Sequence, residues 1–171
     1  MKKILLLSVF MISQPLYSEQ TCHDYITDEW HDSRYKVETI NGGNVVTDKV
    51  TGLMWKQCTE GLSGTNCMTG NKDVLLEWQQ ALDLAEDSDY ADFTDWRIPN
   101  KNELQSLSAK NCVGPSINEN IFPNTIAFIW TSTPYSEYPI FTRVVEFNYG
   151  SDAGVERGDG QARVKLVRTV D

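Results

Sequence analysis

The side chains best able to do chemistry are few: four cysteines (Cys22, Cys58, Cys67 and Cys112), two histidines (His23 and His31), and a dense run of acids from Glu86 to Asp95. An exported hydrolase needs a nucleophile with a base within reach. Both histidines lie close to the N-terminus, and the chain holds no HExxH, no G-x-S-x-G and no P-loop. General acid/base work by a carboxylate pair is the remaining catalytic option, with Asp92, Asp95 and Glu103 near one another in sequence. Acids at this density ordinarily solvate a surface or cap a helix. No catalytic residue is therefore assigned, and the chain is expected not to be an enzyme.

The oxygen-rich stretches make calcium the one ion to weigh. Glu86 to Asp95 has the ligands but lacks the EF-hand order and its glycine, and Ser151-Asp152 with Gly158-Asp159-Gly160 forms a second, shorter candidate. Turn and helix-exit chemistry accounts for both, so no metal ligand and no other cofactor is assigned. Tyr135, Tyr138 and Tyr149 fall in turn-like stretches. Aromatic faces beside acids such as Asp152 and Asp159 are what a sugar or peptide platform requires, and these five residues are the expected ligand contacts. Trp130 sits inside an apolar strand and belongs to the core.

An even number of cysteines in an exported chain argues for two disulfides. Cys58 and Cys67 bracket a segment rich in Gly, Ser, Thr and Asn and form the natural local pair, which leaves Cys22 for Cys112. Zinc fits poorly, because no C-x₂₋₄-C pair exists. Export itself is read from the first residues. Lys2 and Lys3 precede an apolar run, Ile4 to Ile12, broken only by Ser8, and Pro15-Leu16-Tyr17-Ser18 resembles a cleavage region. The run is too short for a spanning helix of about 20 residues. Residues 1–18 are thus expected to be a signal peptide. Cys22 follows Glu19-Gln20-Thr21 and not a lipobox, so no lipid anchor is expected.

Cleavage after Ser18 would remove Lys2 and Lys3 from a formal charge of −9 and leave −11. Such a field repels nucleic acid, sulfated polysaccharide and anionic lipid. The expected address is the periplasm or the cell exterior, with a carbohydrate or protein partner and no membrane insertion of the processed chain.

The length fits a single domain, with residues 19–39 as an extended lead-in and 40–171 as the body. Val45-Val46, the turn-rich Thr47 to Gly52, and Leu53-Met54-Trp55 predict a β-hairpin. Leu75, Trp78, Ala81, Leu82 and Ala85 recur at three- and four-residue steps and predict a helix over 75–87, with Asp73 near its positive end. Pro99 and Asn100 start a second, short helix, with Glu103 at the capping-box position and Leu104 and Leu107 pointing inward. Strands are predicted over 126–132, 141–147 and 162–167. Asn148 to Gly160 holds four glycines and reads as a long exposed loop. The fold class is α+β.

Three motifs carry a family resemblance: Val46-Thr47-Asp48-Lys49-Val50-Thr51-Gly52-Leu53-Met54-Trp55, then Thr94-Asp95-Trp96-Arg97-Ile98-Pro99-Asn100-Lys101-Asn102-Glu103-Leu104, then Trp130-Thr131-Ser132-Thr133-Pro134. With the ending Arg163 to Arg168, they resemble the Lcl C-terminal domain family of bacterial secreted and surface proteins, over residues 40 to 169. The resemblance implies a fold like that of C-type lectins and formylglycine-generating enzyme. It also implies structural roles for the signature residues: Asp95 and Arg97 pairing or holding backbone at a bend, Trp96 packing beneath, Pro99-Asn100 starting a helix, and Trp55, Glu103 and Trp130 completing the frame. The copper-binding cysteine pair of formylglycine-generating enzymes has no counterpart here. The sulfated-glycosaminoglycan binding associated with the family's namesake adhesin is not carried over, because the acidic charge opposes it. What remains is an exported binding module, with an envelope or pilus assembly component and a carboxylate-pair hydrolase as alternatives.

Overall fold

The computed structural model describes residues 19–70 and 74–170. The expected signal peptide and Asp73 lie outside these residues. In chain order the elements are β1 (Thr21–Cys22), β2 (Tyr35–Ile40), β3 (Gly43–Asp48), β4 (Leu53–Lys56), β5 (Leu62–Ser63), β6 (Thr69–Gly70), α1 (Trp78–Glu86), α2 (Lys101–Gln105), β7 (Cys112–Val113), β8 (Phe128–Pro134), β9 (Phe141–Glu146), β10 (Ser151–Glu156) and β11 (Val167–Thr169). A four-stranded sheet runs β11-β4-β3-β2 and a three-stranded sheet runs β10-β9-β8, with all named pairs antiparallel. Two-residue ladders join β1 to β7 and β5 to β6. The class is α+β. Among the described residues no helix is long and apolar enough to cross a membrane.

Apolar doublets explain how the sheets are buried. Side chains alternate faces along a strand, so Val45-Val46, Met54-Trp55, Ile129-Trp130 and Val144-Val145 each send one residue to either side. Val46, Trp55, Ile129 and Val145 join a core with Leu104, Leu107 and Phe122, while Val45, Met54, Trp130 and Val144 join a second core with Ala81, Ala85 and Trp96. Central strands covered on both faces read as continuous apolar runs, which is why the pattern of 141–147 looks mixed in sequence.

Several expectations are corrected. An additional strand stands before the predicted hairpin: Tyr35–Ile40 is paired along its length with β3 through the two-residue turn Asn41-Gly42. Both turn residues take positive φ, 44° and 82°, the backbone that an Asn-Gly hairpin turn requires. The first helix begins at Trp78, not Leu75, with Glu77 as its cap, and Leu75 is exposed. Trp78 is only partly buried, against the second core. The second helix ends at Gln105, short of Ala109, with its Asn100 and Glu103 capping box formed as predicted. Asn148 to Gly160 is not a loop throughout, because β10 occupies 151–156 and pairs with β9 over its whole length. In the segment 162–167 the regular ladder starts only at Val167, after isolated bridges at Ala162 and Arg163.

That last segment holds the least expected side chain. Ala162, Val164 and Leu166 alternate into the second core, and the opposite face carries Lys165, which is fully buried. Its Nζ donates to the main-chain carbonyls of Gln57 (2.9 Å) and Lys56 (3.2 Å) and stands 4.6 Å from the Phe122 ring centre. Burial pushes the ammonium down to about 7; the Glu60 carboxylate works against this and the Lys56 cation with it. Between that value and lysine's ordinary range the unfolded chain binds a proton that the folded chain does not, so stability rises with pH across the interval. From pH 6 to pH 9 this group is expected to add about 3 kcal/mol to the unfolding free energy. Urea titrations of Lys165→Met at the two pH values should show that increment gone; an unchanged pH slope would refute the assignment.

Candidate functional site

The turn between β8 and β9 builds an aromatic hollow. Pro134 ends one strand and Phe141 opens the next, and the Phe141 amide donates to the Tyr138 carbonyl (2.9 Å), folding the turn back on itself. Three rings meet there: Tyr135 and Tyr138 lie 6.1 Å apart by ring centres, Tyr135 and Phe141 6.4 Å, and Tyr138 and Phe141 6.2 Å. Gly154, on β10, completes a 380 Å³ cavity with them. A Cβ at Gly154 would stand 2.8 Å from the Tyr135 ring, so the absence of a side chain seats that ring on the strand. Tyr138 is 57% exposed and its neighbour Ile140 59%.

Beside the rings lies a charged rim. The Arg143 guanidinium, opposite Gly154 in the hairpin, stands 4.3 Å from the Tyr135 ring centre and 2.6 Å from Asp152. Lys101 approaches Asp152 at 3.9 Å, and the Gln105 amide reaches it at 3.4 Å. Aromatic faces next to donors and acceptors held in place by ion pairs can stack on the apolar face of a sugar ring while binding its hydroxyls.

The structure gathers only part of the expected set. Tyr135 and Tyr138 meet. Tyr149 does not join them: it is 75% exposed in the β9–β10 turn, at the Glu146–Ser151 end of the hairpin, whereas Phe141 pairs with Glu156 at the other end. Six paired residues separate the two ends by about 17 Å. Asp152 lies within a strand in an ion pair, and Asp159 is exposed beyond the end of β10. Phe141, Arg143, Gly154, Lys101 and Gln105 join the site without having been expected. The turn signal Asn148-Tyr149-Gly150 marks the hairpin that brings Arg143 and Gly154 together.

The signature residues form the frame. Trp55 and Trp130 are fully buried, and the Trp130 indole donates to the Leu76 carbonyl (2.8 Å). Trp96 is buried with its indole donating to the Tyr90 carbonyl (2.9 Å). Asp95 and Arg97 do not pair with each other. Asp95 binds Arg168 (2.7 Å), while Arg97 forms a bidentate pair with Glu103 (2.8 Å for both bonds). Glu103 also accepts the Asn100 amide (2.7 Å), fixing the helix start that follows Pro99. The Arg168 hydrogen bond holds the Asp95 carboxyl below its ordinary range. Burial alone would raise Glu103, but Arg97 and the Asn100 amide hold it below its ordinary range too. Asp92 accepts from the Asn41 amide. Among the described residues no three His, Cys, Asp or Glu side chains converge as metal ligands would.

Both disulfides form, Cys22–Cys112 and Cys58–Cys67, as the cysteine positions predict.

Comparison with curated proteins and with solved structures finds no match. A family model does match, the Lcl C-terminal domain, over residues 44–168. That span takes in the β3–β4 hairpin, the Asp95 to Glu103 signature, the Trp130 strand and the buried Lys165 segment, and the chain belongs to the Lcl C-terminal domain family.

Proposed function

We propose that this protein is an exported, non-catalytic binding module that recognises a carbohydrate through the hollow formed by Tyr135, Tyr138 and Phe141, on a body of C-type-lectin-like or formylglycine-generating-enzyme-like fold. The observation that carries the proposal is the hollow itself: three mutually touching rings open to solvent, with Arg143 and Asp152 fixed at their edge. Two disulfides fit an oxidising compartment outside the cytosol. The carboxylates best placed for acid catalysis, Asp95 and Glu103, are each bound to an arginine, which favours their ionised form and suits them poorly to donate a proton at neutral pH.

A glycan array tests the proposal. Tyr138→Ala removes an exposed ring and is expected to leave stability within about 0.5 kcal/mol, yet to weaken the glycan signal by about two- to tenfold, the order of one lost stacking contact. Gly154→Ala should weaken it as well, by pushing Tyr135 off its seat. A signal indifferent to both substitutions would rule the hollow out. The exposed pair Tyr138 and Ile140 favours a second reading, in which the same turn docks on a subunit of an envelope or pilus assembly. Co-purification with such an assembly, lost in Tyr138→Ala and accompanied by no glycan signal, would select it.

A further inference from the structure

The four-stranded sheet has an open edge at β2, its outermost strand, and the hydrogen-bond phase of the ladder decides which main-chain groups are left over there. Asn44 turns its carbonyl to the Gln57 amide (3.0 Å) and its own amide to the Tyr90 hydroxyl (2.7 Å), both away from β2. Near the start of β2 the Arg34 carbonyl accepts the Lys49 amide (3.1 Å). Antiparallel pairs alternate between bonded and non-bonded. Lys36, Glu38 and Ile40 therefore bond to β3, whereas Val37 and Thr39 direct their amides and carbonyls to the open edge. Among the described residues nothing bonds to them there.

Two independent features of the side chains select what pairs with that edge. On the face of the first core, Val167, Trp55, Val46 and Val37 stand opposite one another across the whole sheet; the first three are fully buried, and the row stops at Val37, 45% exposed. On the other face Lys36 and Glu38 form an exposed ion pair at 2.8 Å, which holds little energy and leaves both side chains able to turn to a neighbour. A lone edge charge discourages strand pairing. A lysine and a glutamate flanking one valine are instead self-complementary. In a two-fold antiparallel pairing centred on Lys36 or on Glu38, that residue faces its own copy, and like charges directly opposite destabilise a sheet. Centred on Val37, Lys36 of each copy faces Glu38 of the other, Val37 meets Val37, and the apolar row continues through the axis into the second sheet. We propose that β2 pairs in this register with β2 of a second copy of this chain, joining the two sheets into one across an isologous dimer interface. The Val37 amide of each copy then donates to the Val37 carbonyl of the other. Thr39 comes opposite Tyr35, which offers its carbonyl, its own amide being turned to Asp32.

The formal charge of −9 repels a second copy at long range, so association is to be followed by sedimentation velocity up to about 1 mM protein. A single monomer–dimer equilibrium is expected, in which the Val37 amide gains protection from hydrogen exchange with rising concentration while the Glu38 amide, already bonded to β3, does not change. Lys36→Glu and Glu38→Lys each place like charges opposite in the self-pair and should weaken the dimer at least about tenfold. Mixing the two variants restores opposite charges at every facing position and should recover the dimer as a heterodimer, a recovery that misfolded variants would not show. Val37→Pro removes the central donor at an edge position that tolerates proline and should abolish dimerisation, with a thermal melt confirming the fold. Tyr138→Ala should leave dimerisation unchanged, which separates this interface from the aromatic hollow. A parent that stays monomeric throughout, single charge variants that associate as the parent does, a mixture no more associated than its components, or growth beyond the dimer would overturn the proposal.

Discussion

Replacing Cys22 and Cys112 together by serine is expected to lower the unfolding free energy by about 4 to 5 kcal/mol. The bridge spans a sequence separation of 90, against 9 for Cys58–Cys67, and on chain-entropy grounds closure of the smaller loop contributes only about 3 kcal/mol. The two effects should therefore rank in that order in urea denaturation. A local consequence follows as well. The β1–β7 ladder is two residues long, with Cys22 opposite Cys112, and so short a ladder does not hold by itself. In the serine variant the amide of His23, which donates to the Asn111 carbonyl (2.7 Å), should exchange far faster. Trp30 should stay protected, because it is buried and its indole donates to the Ser106 carbonyl (2.8 Å). A stability loss no larger than that of the Cys58/Cys67 double variant would contradict the ranking.

Arg34→Met is expected to cost about 3 to 5 kcal/mol at neutral pH, the range for stripping one partner from a buried ion pair. Arg34 is 7% exposed and Asp48 fully buried, joined through Nε at 2.9 Å and Nη2 at 2.6 Å. Asp48 also accepts the Val50 amide (3.0 Å) and the Thr51 hydroxyl (2.8 Å), which fixes the β3–β4 turn. Burial would raise its carboxyl, but Arg34 and these two donors together hold it below the ordinary range. A carboxyl depressed on folding stabilises fully above its unfolded value, near 4, and loses that contribution as pH falls through the folded value. The gap between parent and variant should accordingly be full at pH 7 and shrink in acid. Adding Asp48→Asn to Arg34→Met should recover part of the loss, since the uncompensated charge is then gone. A cost below about 1 kcal/mol would place the pair with solvent-exposed bridges.

Local signals made some of this legible in the sequence. The capping box of α2 needs only Asn100 and Glu103, three residues apart in one turn, and the structure forms it. The β3–β4 hairpin follows from two apolar doublets around a turn-rich stretch. The strand before it is legible only through Asn41-Gly42, because β2 lies at the edge of its sheet with Val37 exposed, and its apolar residues follow no clean alternation. β10 is masked by Gly154, whose missing side chain weakens the strand pattern and yet is what seats Tyr135. Nothing local announces Lys165: a lysine between Val164 and Leu166 reads as the solvent side of a strand, and only the carbonyls of Lys56 and Gln57, more than a hundred residues away in sequence, reveal the opposite. At the site, Tyr135 and Tyr138 are legible as turn aromatics. Their separation from Tyr149 depends on the hairpin register, which pairing and not composition determines.

The most direct measurement is amide chemical-shift mapping of the full chain titrated with the glycan that scores highest on the array. Recognition through the hollow predicts perturbations concentrated at Tyr135, Tyr138, Phe141, Arg143 and Gly154, saturating together and abolished by Tyr138→Ala. Perturbations centred instead on Tyr149 or on the β2 edge, or a pattern that survives Tyr138→Ala, would contradict it.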